Sequence, residues 1–459
     1  MGTFRSLPGR LLGLWCVGAL LFIWLVPPFF APDETIHAAW AARFFTGIDP
    51  HQTDSCSKIE ASILNFPYED TYRKGVSVQI DRTIPEVDQN LPAAECKSKI
   101  YASSWYAFPV FYGPFILGLQ IFKDLSQSLY FARVIQFLVI LLSLIFLVSH
   151  CSQNQGAQFI LTFFLTLYLL PMSFQQSLSL AMDFWFYLGG IYFAALILSE
   201  KLTRPKIILC VLFIAIAGFT KPVIAPLLLL IFIWGGFFFA DNKNINFLKF
   251  SSLIGLCLIG LRGSHYLSLM GSGAFDDPAR PISGQMEFVL SHPFKSFWII
   301  LTSILKKPLQ YPGTRLGWLS FEQLTANIIL AHVPLIIFLK HIYKSQIKTK
   351  VDGDNPISQI PIFKFLISIA IVLASNFLVG FSLYLAYSSP GLHFVHGLQS
   401  RYFFWSLLAG VFLFGFYCIY KKSPKLSAML LGPTEKKLIF LSLALNFAIF
   451  YFRIFQTYP

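Results

Sequence analysis

The sequence predicts an all-α polytopic membrane protein of about eleven transmembrane helices, with ten to thirteen as the bracket, and three observations lead there. Hydrophobic residues make up 56% of the 459 positions and charged residues only 12%, too little charge to cover a soluble globule of that size. Apolar runs of about 17–25 residues recur along the whole chain, each long enough to cross roughly 30 Å of hydrocarbon. Short connectors rich in Lys and Arg alternate with acidic or neutral ones, the pattern that orients helices in a bilayer. The net charge of +13 therefore belongs to individual loops and anionic lipid contacts, and nucleic acid is not an expected partner.

The first run, 11–30, ends in Pro27 and Pro28 and has no A-x-A-like cleavage site, so it is expected to persist as a helix. Arg5 and Arg10 precede it, which places the amino terminus in the cytoplasm and releases the next segment outside. Residues 31–104 are too polar to cross and too long for a mere connector, and positions 33–95 hold half of the 22 acidic residues. Residues 105–122, WYAFPVFYGPFILGLQIF, resemble a span. If they crossed, however, the basic connectors around Lys201, Lys243, Lys344 and Lys421 would not all face the cytoplasm. A juxtamembrane or re-entrant helix is therefore expected there, with a full crossing as the alternative, and the extracytoplasmic block runs over 31–127.

The later spans are expected at 128–150, 157–175, 182–199, 206–220, 222–240, 247–262, 323–341, 361–386, 402–420 and 438–453. The chain then forms one integral-membrane domain: a transmembrane core at 128–262, a second extracytoplasmic loop at 263–322 with an interfacial stretch at 297–305, and carboxyl-terminal helices at 323–453. Of the seven cysteines, only Cys56 and Cys96 lie in the acidic loop; outside the cytoplasm they are disulfide candidates, against two free thiols.

Chemistry concentrates at the expected outer boundary. Asp33 and Glu34 follow the first helix, and His37, Trp40 and Arg43 come at one-turn spacings, so a short helix at 33–45 puts Asp33, His37 and Trp40 on one face. Acids at a helix start serve as caps, worth about 1 kcal/mol, and a carboxylate at a membrane surface also suits a general base. Asp183, Lys221, Arg315 and Arg401 fall at the same boundary. Each cation alone can simply snorkel to headgroups; several converging with carboxylates would hold a lipid phosphate while an acid activates an acceptor. Asp276 and Asp277 form an adjacent acid pair that suits a hard divalent metal or plain solvation, and His393 and His396 lack the further ligands of a zinc site. No Walker loop, dinucleotide fingerprint or Gly-x-Ser-x-Gly elbow occurs in suitable context.

PPFFAPDETIHAAWAARFFTG resembles the PPDEPAHFYRAYQI-G opening of the bacterial domain-of-unknown-function family 2142. The likeness continues through YGPFILGLQIF, LYFARV, SLAMDFWF, GFTKPVIAPLLLL, QMEFVLSHPFKSF, LGWLS and HGLQSRYFFW, in the family's order over about residues 20–420. Ser400 stands where the family usually has Gly and Trp405 where it has Pro. The family is similar in layout to GT-C membrane glycosyltransferases, which carry an acid in the first extracytoplasmic loop and take sugar from a polyprenyl-phosphate donor. The resemblance implies Asp33 first and Glu34 second as base or acceptor-binding acid, Lys221 and Arg401 as donor-phosphate ligands, and Asp183 as a site-facing group. His37, Trp40 and Arg315 complete the expected substrate-binding set. The implied partners are membrane lipid, a lipid-linked sugar donor and a glycan or lipid acceptor, with no required cofactor beyond a possible divalent metal. The implied location is the bacterial inner membrane, active on its outer face. The alternatives are a non-catalytic carrier or assembly partner for lipid-linked saccharides, and a glycan polymerase or ligase.

Overall fold

The computed structural model describes residues 7–26, 34–47, 59–60, 63, 109–122, 125–151, 155–180, 182–199, 202–220, 228–230, 233, 242–271, 282–310, 330, 332–341, 362–395, 398, 404, 409 and 431–457. These residues are helical throughout their regular structure, with no strand among them. In chain order the helices are α1 (Leu7–Leu25), α2 (Glu34–Thr46), a 3-10 turn (Pro109–Tyr112) running into α3 (Gly113–Ile121), α4 (Leu125–His150), α5 (Gln155–Tyr168), α6 (Pro171–Leu178) and α7 (Asp183–Leu198). After them come α8 (Arg204–Thr220), α9 (Asn242–Gly271), α10 (Ile282–Ser291), α11 (Pro293–Gln310), α12 (Ile362–Tyr387) and α13 (Pro433–Thr457).

Helices are the form in which an apolar segment satisfies its own backbone, so the long apolar runs have no other stable choice in lipid. Three described helices are long and apolar enough to cross a membrane: Leu7–Leu25, Gln127–His150 and Leu366–Leu385. A fourth crossing exists if the bent pair Ile282–Ser291 and Pro293–Leu305 counts as one span. Eleven spans exceed what these helices carry by length and composition. The stretch expected to cross at 157–175 is two helices, because Pro171 forces Leu170 into an extended conformation (φ −63°, ψ 139°) and restarts the chain as α6. α7 and α8 have 16 and 17 residues, about 25 Å each at 1.5 Å per residue. The expected spans at 222–240 and 402–420 lie largely outside the described residues.

Two further boundaries differ from the sequence reading. α9 continues through Gly271 where a loop was expected from 263, since LRGSHYLSLM contains no proline and strong helix formers. The expected interfacial stretch at 297–305 is the middle of the longer α11. Residues 109–121, by contrast, are a short helical unit of a 4-residue turn and a 9-residue helix, about 20 Å long and too short to cross.

α7 is apolar all round and lies at the centre, where only Trp185 retains partial exposure. Other helix pairs approach each other through small residues. A Cβ on Gly118 of α3 would lie 2.6 Å from the Ser128 carbonyl of α4, and one on Gly18 of α1 would meet the Phe447 ring of α13 at 2.6 Å. Aromatic rings fill the remaining gaps: Phe174 of α6 sits edge-on to Trp15, Phe22 and Phe447.

Side-chain contacts sort the helix ends into two groups. At one end, Lys206 at the start of α8 reaches His150 at the close of α4 (Nζ–Nε2 2.6 Å), and Lys340 and His341 pair with Glu435 at the start of α13. At the other end lie Val26 after α1, all of α2, the start of α4, the Leu180 link before α7, and Phe219 near the close of α8. The first end carries Lys206, Lys340 and His341 with Glu435, and the second carries the ion pairs Glu34–Arg133 and Arg43–Glu60.

Candidate functional site

α2 is built for close packing. ETIHAAWAARFFT has four alanines, no glycine and no proline, so its backbone can press against neighbours at little entropic cost. Glu34, His37, Trp40 and Arg43 are all buried, together with the alanines between them. The helix stops where the Thr46 hydroxyl bonds back to the Ala42 carbonyl (2.9 Å) and Gly47 takes φ 71°, a conformation that costs a residue with a Cβ.

Glu34 is the anchor of this end of the bundle. Arg133 of α4 donates from Nη2 to its Oε2 (2.6 Å) and from Nε to its Oε1 (3.2 Å), while the Leu180 N–H donates to Oε1 (3.0 Å). The remaining arm of Arg133 donates to the Val26 carbonyl (2.6 Å), and its guanidinium lies over the Phe22 ring. Both partners are wholly buried. One forked, charge-assisted contact thus ties together the end of α1, the start of α2, the start of α4 and the α6–α7 link. With both oxygens engaged, the Glu34 carboxylate has no route to a substrate proton unless this clamp opens.

Around the clamp lies a polar cluster in an apolar shell. His37 Nδ1 is 3.0 Å from the Tyr112 hydroxyl, and both residues are buried. Burial pushes the Tyr112 phenol well above its ordinary range, so the hydroxyl keeps its proton and is available as a donor. Trp185 of α7 donates from Nε1 to the Phe111 carbonyl (3.0 Å), which holds the 3-10 turn onto α7. Asp183, the first residue of α7, is 3% exposed and sits at a helix start, where the dipole favours an acid. At the far end of α2, Arg43 pairs with Glu60, both buried, and stacks over Trp40. Ala38, Trp40, Phe115, Leu129, Leu180 and Met182 form the apolar packing between these groups.

Of the residues expected at the site, the fold brings Glu34, His37, Trp40 and Asp183 to one junction. Asp33, Lys221, Arg315, Arg401, Cys56, Cys96, Asp276 and Asp277 lie outside the described residues, although α8 closes at Thr220, the residue bonded to Lys221, with Phe219 packed against the α2 cluster. His393 is described and exposed, while His396 is not described. No group of three metal-ligating side chains occurs among the described residues. Sequence reasoning missed Arg133, Tyr112, Glu60 and Trp185. Arg133 had a visible signal: a guanidinium inside an apolar span must find a partner, and the acidic loop is the natural source.

No curated protein and no solved structure matches the chain at a significant level. One family model does, described as "Predicted membrane protein (DUF2142)", and it matches residues 16–409, a range that includes α2, Arg133, Tyr112 and Asp183. The chain belongs to the DUF2142 family of membrane proteins.

Proposed function

We propose that this protein is a GT-C-type membrane glycosyltransferase with an eleven-span layout, oriented with its amino terminus in the cytoplasm and its site on the outer face of the bacterial inner membrane. The observation that supports the reading is the Glu34–Arg133 clamp, which holds the start of α2 at a junction where His37 meets Tyr112 and where the Leu180 link leads into α7 at Asp183. In this reading Glu34 is the anchor and Asp33 the base. Asp33 takes the proton of an acceptor hydroxyl as that oxygen attacks the anomeric carbon, the bond from that carbon to the phosphate oxygen breaks, and polyprenyl phosphate leaves. Lys221 and Arg401 hold the leaving phosphate, and His37, Trp40, Asp183 and Arg315 orient the sugar or acceptor.

The test separates the two acids. Asp33→Asn is expected to abolish the glycan product while leaving the protein at normal abundance, whereas Glu34→Gln lowers abundance itself. Wild-type product from Asp33→Asn would refute a base at this position and favour a carrier of lipid-linked saccharides, which needs the phosphate contacts but no carboxylate.

A further inference from the structure

The two helices of the second long connector take no part in the site above. α10 ends at Ser291, α11 begins at Pro293, and the chain turns through 109° between them. The elbow is polar and exposed: Ser291, His292 and Lys295 all face outward. The Ser291 hydroxyl donates to the Glu287 carbonyl (2.7 Å), and Lys295 Nζ sits 5.5 Å from the Phe288 ring centre, so the turn is locally complete. A turn of this composition sunk in hydrocarbon would strip a histidine and a lysine of solvent, which the bilayer interior penalises. The elbow therefore belongs at headgroup level.

Beyond the elbow, α11 has two apolar faces. One packs on α12: Ile299, Ile300 and Ile304 are buried beside Tyr384, and a Cβ on Gly380 would meet Ile304 at 2.8 Å and Ile300 at 2.9 Å. The other is open, with Phe294 89%, Trp298 64% and Leu305 61% exposed and Leu301 half-buried between them. Those four positions follow i, i+4, i+7 and i+11, a single stripe along the helix. Lys306 and Lys307 come next in the helix. From Lys295 to Lys306 the axis rises about 16 Å, roughly half of the 30 Å hydrocarbon core, so the two cationic ends cannot reach opposite headgroup layers. They share one layer only if the helix lies along it. The stretch 282–310 holds three lysines and one acid, Glu287, so that layer is best met as an anionic one.

We infer that α11 lies flat in the membrane interface, its Phe294–Trp298–Leu301–Leu305 stripe among the acyl chains and its terminal lysines recruiting anionic phospholipid headgroups of the same leaflet. The inference does not depend on the transferase reading. It does bear on the rest of the chain, because the Ser303 hydroxyl accepts the Val395 N–H (3.1 Å) and so fixes the segment that leads on to Arg401 at the depth of α11.

An environment-sensitive fluorescent amino acid placed by stop-codon suppression at 294, 298, 301 or 305, in the full chain reconstituted in vesicles, reads depth directly. Lipids brominated near the headgroup should quench all four positions alike and more strongly than lipids brominated near the chain end. A steady change of depth from 294 to 305 would overturn the inference in favour of a dipping or crossing helix. In mixed phosphatidylglycerol–phosphatidylcholine vesicles, brominated phosphatidylglycerol should quench position 298 preferentially, and each of Lys295→Gln, Lys306→Gln and Lys307→Gln should reduce that preference about fivefold. An unchanged preference in the triple variant would overturn the anionic-lipid part.

Discussion

Replacing Arg133 by Met is the most informative single change. The substitution removes two donors from a wholly buried carboxylate and the 2.6 Å bond to the Val26 carbonyl, leaving Glu34 with the Leu180 N–H. Breaking one side of a buried ion pair costs about 3–5 kcal/mol, because the surviving charge has lost both water and partner. A loss of that size is a large share of the 5–15 kcal/mol that typically holds a domain together. Purified Arg133→Met should therefore melt far below the wild type in detergent and accumulate poorly in membranes. The same reasoning makes the double variant Glu34→Leu/Arg133→Met informative: with both charges gone, no buried ion is stranded, and stability should return to within about 1–2 kcal/mol of the wild type. Single and double variants that melt together, or an Arg133→Met protein as stable as the wild type, would refute the clamp as the anchor of this junction.

Other consequences can be checked separately. Tyr112→Phe leaves His37 Nδ1 buried without its hydroxyl partner, an expected cost of about 1–3 kcal/mol in thermal unfolding, and it should also lower product formation if His37 orients substrate. Gly118→Ala drives a methyl against the Ser128 carbonyl at 2.6 Å, so α3 must shift on α4, costing about 1–3 kcal/mol; Gly113→Ala, with open space around it, should be tolerated and serves as the control. At the opposite end, burial disfavours ionisation of Glu435, but the Gly432 N–H, His341 and Lys340 outweigh it and hold the carboxyl down at about 2 from 4.5. A depressed folded-state value means stability that is present above pH 4.5 and fades as the pH falls towards 2, so Glu435→Gln should flatten the acid side of the melting profile over that window.

Much of this arrangement could be read from the chain. The helical class follows from composition, the placement of α4, α7, α8 and α12 from apolar run length, and the short helix at 109–121 from the parity of basic connectors. The grouping of helix ends agrees with that parity: His150 and Lys206 meet at one end, Glu34, Arg133 and Leu180 at the other. The break at Pro171 was also present in the sequence, since the residue before a proline avoids the helical region. The roles within the acid pair were not. A carboxylate at a helix start looks the same on paper whether it caps, catalyses or pairs, and only its surroundings separate these.

The sequence by itself determined that the chain is helical and membrane-embedded, because hydrocarbon leaves the backbone one choice, and that half of its acidic residues fall in the segment after the first helix. The tertiary structure alone decided that Glu34 meets Arg133 across 99 residues and His37 meets Tyr112 across 75. Contacts at that separation depend on which helices pack side by side, and no local spacing records it.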